Sequence, residues 1–93
     1  MLAKQLSVFV ENRQGRLKEV LKVLSDNEIN IFSMSLADTT EYGVLRLIVD
    51  DYNLGRSKLT ANGFTTMLSE VVIINIEHKP GTLQKLLDII SQN

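Results

Sequence analysis

A strand, a glycine-bearing loop and an amphipathic helix occur twice in this chain at a fixed separation. Leu6-Ser-Val-Phe-Val-Glu-Asn-Arg-Gln-Gly-Arg-Leu leads into Leu17, Val20, Leu21 and Leu24, and Val72-Ile-Ile-Asn-Ile-Glu-His-Lys-Pro-Gly-Thr-Leu leads into Leu83, Leu86, Leu87 and Ile90. The offset is 66 residues both from Gly15 to Gly81 and from Leu24 to Ile90. Self-similarity over a whole supersecondary unit marks a duplicated module. The first copy is followed by enough chain to build a sheet around its helix, whereas the second reaches only Asn93.

The rest of the pattern orders the elements. Leu6, Val8 and Val10 alternate with Ser7 and Phe9, the period of a strand with one apolar face. Leu17, Val20, Leu21 and Leu24 fall at helical spacing, with Lys18, Glu19, Lys22 and Asp26 elsewhere around the axis. Ser25 to Glu28 closes that helix, and Ile29 to Ala37 reads as a second strand rich in β-branched and large apolar residues. Asp38 to Gly43 makes a hairpin connection into a third strand, Val44 to Val49. Asp50 and Asp51 suit the start of a second helix, Tyr52 to Ala61, which Gly55 weakens. Asn62-Gly63 stops it, Phe64 to Leu68 is the fourth strand, and Ser69-Glu70 is expected to bend before Val71 to Ile76 opens the second copy.

The order predicts an α+β fold, a ferredoxin-like βαββαβ sandwich: a four-stranded antiparallel sheet with two helices on one face, followed by an extra strand-helix unit. Right-handed crossovers put both helices on the same side. Residues 1–70 are expected to form one domain and 71–93 the first strand and helix of a second. If Leu6, Val8, Val10, Leu45, Leu47 and Val49 face the helices, the open face carries Phe9, Ile73, Val44, Arg46 and Ile48, an apolar surface that predicts self-association.

Bulk properties narrow the function classes. A formal net charge of -1 offers no field for phosphate backbones or anionic lipid, so neither nucleic acid nor a membrane surface is expected as a partner. The purest apolar run, Val71 to Ile74, is too short to span a bilayer. The absence of cysteine removes disulfides, thiolate metal sites and a thiol nucleophile, and fits a cytoplasmic location.

The segments Val8 to Leu17, Asn27-Glu-Ile-Asn-Ile and Tyr42 to Asp51, with Ile76-Glu-His-Lys-Pro-Gly-Thr-Leu repeating the first loop, resemble the ACT domain, a small-molecule-sensing module of regulators of amino-acid metabolism. Their spacing is similar to that of small bacterial proteins made of two ACT domains. The first loop departs from the family pattern in carrying Gln14 where proline is usual, whereas the second keeps Pro80. The second copy lacks the strand that follows Asn27 in the first, so this chain is expected to be a fragment whose tail adds to an oligomer interface.

A loop joining a strand end to a helix N-terminus presents unpaired backbone N–H groups and a favourable dipole to a carboxylate. Gly15 lets backbone approach closely, and Asn12 both donates and accepts. The resemblance implies a ligand at this loop near a domain interface, with the start of the second strand contributing. The ligand-binding candidates are Asn12, Arg13, Gln14, Gly15, Arg16, Leu17, Asn30 and Ile31, and in the second-copy loop His78, Lys79, Gly81 and Thr82. The competing reading gives these residues only turn, capping and joining roles, with Arg13 and Arg16 solvated. No metal site is expected at the lone His78, no cofactor is implied, and no acid, base or nucleophile set stands out, so the chain is not expected to be an enzyme. Asp50-Asp51 is explained by capping, and Met34 and Met67 by core or interface filling.

The expected function is therefore regulatory binding of a small molecule, an amino acid, acting through homo-oligomerisation or a partner protein. The alternatives are an assembly module without ligand and a small enzyme of acylphosphatase type. RNA binding on the open sheet lacks the paired aromatics and basic excess such platforms use.

Overall fold

The computed structural model describes residues 1–11, 13–38 and 41–74, together with Gly81 and Leu87. In chain order the elements are β1 (Leu2–Glu11), α1 (Arg16–Asp26), β2 (Ile31–Asp38), β3 (Tyr42–Val49), α2 (Tyr52–Ala61) and β4 (Thr65–Val72). They form one antiparallel sheet in the order β2-β3-β1-β4 with the helices layered on it, the expected βαββαβ sandwich. Of the extra strand-helix unit, the segments 75–80, 82–86 and 88–93 lie outside the described residues, and with them Leu83, Leu86 and Ile90.

Alternation decides what is buried. Leu6, Val8 and Val10 of β1 and Leu45, Leu47 and Val49 of β3 meet Val20 and Leu24 of α1 and Leu59 of α2 in a single core closed by Ile29 and Phe64. Full burial of a side chain of this size is worth about 1.5 to 3 kcal/mol, so this cluster is what holds the helices to the sheet.

The two helices end in the same way. Asn27 and Asn62 each fold their side-chain amide back onto a carbonyl one turn earlier, at 2.8 Å. The next residue, Glu28 or Gly63, takes a left-handed φ of 56° or 87°. The residue after that, Ile29 or Phe64, donates its N–H to the carbonyl of Leu24 or Leu59 at 3.0 Å and drops its side chain into the core. Ile29, expected to begin the second strand, is therefore the apolar plug of a helix end, and β2 starts two residues later.

Three further differences have physical causes. β1 begins at Leu2 and not Leu6, because β4 pairs with it as far as Leu2 opposite Val72. Ser69 and Glu70 do not bend the chain; they lie inside β4 opposite Gln5 and Lys4, polar partners that suit them to the ladder. Gly55 does not interrupt α2: it is buried, and a Cβ placed there would stand 3.4 Å from Leu6 Cδ2 and 3.6 Å from Leu24 Cδ2. The residue is small where the helix lies closest to the core.

The open face is mixed: Phe9, Val44, Ile48, Met67 and Val71 share it with Gln5, Ser7, Arg46, Ser33, Ser35 and Thr65. Exposed apolar side chains lie on the edge strand β2 at Ile31, Phe32, Met34 and Leu36, and on the other strands at Leu2, Phe9, Tyr42, Met67 and Val72.

Candidate functional site

At the end of β1 the chain turns into α1 within a few residues. Arg13 N–H donates to the Glu11 carbonyl at 2.8 Å, Arg16 N–H to the Arg13 carbonyl at 3.2 Å, and Gly15 sits at φ 88°. Its carbonyl accepts the Glu19 N–H at 3.0 Å, the first bond of the helix. Because Gly15 is the N-cap residue, no side chain caps α1. A Cβ at Gly15 would meet nothing within 4 Å, so this corner opens outward, and the demand for glycine there comes from φ and not from crowding. Gly81 repeats the conformation at φ 86°, with no described residue within 4 Å of a Cβ placed there. Asn12, His78, Lys79 and Thr82 lie outside the described residues.

The candidates at this corner divide. Gln14 and Arg13 are exposed, Arg13 Nε pairing with the Glu11 carboxylate at 2.9 Å, and Leu17 packs half-buried against the core. Arg16 is not the solvated arginine of the competing reading. Its side chain is 17% exposed, its Nη1 binds Glu19 Oε2 at 2.6 Å, and its guanidinium carbon lies 4.1 Å above the centre of the Phe64 ring. The cation–π contact ties the start of α1 to the corner after α2, while the ion pair stays within α1.

Beside Arg16 runs an open groove of about 380 Å³ lined by Phe9, Glu11, Arg16, Tyr42, Gly63 and Thr65. Of these residues only Arg16 is among the ligand-binding candidates read from the sequence. The signal that finds them is strand register, since it sets Glu11 opposite Tyr42 and Phe9 between Val44 and Thr65.

Asn30 and Ile31 lie elsewhere. Ile31 pairs with Val49 at one end of β3, while Glu11, just before the Gly15 corner, pairs with Tyr42 at the other. The length of β3 between them is about 23 Å at the usual rise per strand residue. Asn30 is clasped to Asp50: its backbone N–H and its Nδ2 donate to the two carboxylate oxygens, each at 3.1 Å, and its carbonyl accepts the Asp50 N–H at 3.1 Å. Asp51 caps α2 by accepting the Leu54 N–H at 3.0 Å. Among the described residues no three histidine or carboxylate side chains converge where they could hold a metal ion, and no helix is long and apolar enough to cross a membrane.

The family model described as ACT domain pair matches residues 1–93. The chain belongs to the ACT domain pair family. A solved protein from Bacteroides thetaiotaomicron is 40% identical to this ACT chain, with a TM-score of 0.90, over 99% of this chain and 64% of that one. This chain thus spans under two thirds of that protein's length. The ligand-free regulatory subunit of aspartate kinase from Thermus thermophilus matches at 13% identity and a TM-score of 0.69, over 99% of this chain and 74% of its own. A protein from Galdieria sulphuraria matches at 14% identity and a TM-score of 0.62, over 99% and 65%. At those identities the last two likenesses are of fold alone. No curated protein matches the chain.

Proposed function

We propose that this ACT domain pair chain is a regulatory protein that binds a small molecule, an amino acid, at the Gly15 corner and acts through oligomer state or a partner protein. The observation that carries the reading is the uncapped, outward-open start of α1 at Gly15, repeated in backbone conformation at Gly81. Such a start offers main-chain donors to a carboxylate. Membership of the ACT pair family and the fold shared with an aspartate kinase regulatory subunit support the regulatory part.

In this reading residues 1–70 form one module and 71–93 open a second. Because Asn30 and Ile31 stand a strand's length from Gly15, a site using both takes the corner from one module and the strand start from another. Binding would then bias how modules associate, for which a coupling of about 1 to 3 kcal/mol suffices.

A thermal-shift screen against the common amino acids tests the proposal. A ligand present at about 100 times its Kd adds about 2.7 kcal/mol, on the order of 10 °C for a domain of this size. At least one amino acid is expected to raise Tm by several degrees. No shift with any of them favours the second reading, an assembly module without ligand. Two observations lean that way: Arg16 is engaged with Glu19 and Phe64, and Asn30 with Asp50.

A further inference from the structure

The groove beside Arg16 takes its walls from the uncovered face of the sheet: Phe9 with Thr65 opposite it on β4, and Glu11 with Tyr42 opposite it on β3. At about 380 Å³ it is in the size range of small-molecule sites. Arg16 reaches it from α1, and its guanidinium is held there without being satisfied. Stacked on the Phe64 ring at 4.1 Å, the group keeps its N–H donors in its own plane, where they can bond sideways. Nη1 meets Glu19 Oε2 at 2.6 Å, whereas Nε is buried and makes no hydrogen bond among the described residues. A carboxylate matches the planar fork two donors at a time. The Glu19 side chain is 56% exposed, so its release returns a carboxylate to water at little cost. Glu11 already has Arg13 at 2.9 Å to balance its charge, and the unbonded donor on Arg16 therefore favours an anion.

We propose that this groove binds a small carboxylate with an apolar, ring-sized body, and that Glu19 is a built-in stand-in which the ligand displaces from Arg16. The ligand's carboxylate takes Arg16 through two N–H donors, and its body lies against the exposed rings of Phe9 and Tyr42. The corner itself does not require this arrangement. At the 66-residue offset Thr82 stands for Arg16, Lys85 for Glu19 and Asn75 for Phe9, yet Gly81 keeps a φ of 86°. The arginine, its carboxylate and the aromatic wall are thus particular to the first copy. The inference stands apart from the Gly15 corner, because its contacts are side chains and not the main-chain donors of that loop.

The test titrates the full chain with phenylacetate, which carries the anionic head and a ring but no amino group, and follows backbone amides by NMR. Saturable shifts are expected at Phe9, Tyr42 and Thr65. Arg16→Gln is expected to weaken binding at least about tenfold through loss of charged hydrogen bonds. Glu19→Gln, which removes the competitor, is expected to tighten it about two- to fivefold. A residue that only braced α1 would give no such gain. Far-UV circular dichroism is expected to be unchanged in both variants. No saturable shift at the groove, equal binding of the uncharged phenylacetamide, or undiminished affinity in Arg16→Gln overturns the site. Unchanged or weaker binding by Glu19→Gln overturns the stand-in role. Shifts confined to Gly15 and Leu17 overturn the groove and leave the reading of the corner intact.

Discussion

Two residues with left-handed backbone show how far a single position can be read. Gly15 and Glu28 sit at φ 88° and 56°, one beginning α1 and one just beyond its end, and only the first is glycine. A side chain in this region costs about 1 to 2 kcal/mol. Replacing Gly15 with alanine should therefore lower stability by about 1 kcal/mol, and replacing Glu28 with glycine should raise it by about as much, as read by urea denaturation midpoints. Open space around Gly15 makes strain the only steric cost of the first change. The need for glycine at position 15 was legible because the motif recurs at 81. The strain at Glu28 was not, since nothing in Asn27-Glu28-Ile29 distinguishes a helix-ending plug from the start of a strand.

At the scale of elements, hydrophobic period carried most of the fold. The buried faces of β1 and β3 follow the alternation of Leu6, Val8, Val10 and of Leu45, Leu47, Val49, and α1 follows its stripe. The misreadings arose where a local propensity was overruled by a neighbour. Ser69 and Glu70 look like a bend alone and like strand beside Gln5 and Lys4. Gly55 looks like a helix breaker alone and like a spacer beneath Leu6 and Leu24. The distances there leave room for one methyl group, so Gly55→Ala should stabilise α2 by about 0.5 to 1 kcal/mol through helix propensity. Gly55→Val should destabilise by overpacking. Thermal melts of the two variants separate these signs, and a loss of stability with alanine would mean that the helix lies too close to Leu6 and Leu24 to admit a methyl group.

For the whole molecule, the family and the sandwich were readable from ordered short motifs, whereas the arrangement of the candidate site was not. Sequence places Arg16 next to Gly15, yet only the packed structure lays its guanidinium on Phe64, far along the chain. Sequence likewise groups Asn30 and Ile31 with the loop by family likeness, while the sheet holds them at its opposite end. A site that draws on both belongs to an association of modules and leaves no complete trace in one of them. The exposed apolar row of β2 was equally hidden, because which strand lies at an edge uncovered by helices is set by topology and not by composition.

The central claim is that the Gly15 corner presents main-chain donors to a small anionic ligand. The measurement that tests it most directly is a backbone amide NMR titration of the intact chain with the amino acid that gives the largest thermal shift. The account predicts saturable shift changes centred on the N–H groups of Gly15 and Leu17. Changes confined to other parts of the chain, or none at saturating ligand, would contradict it.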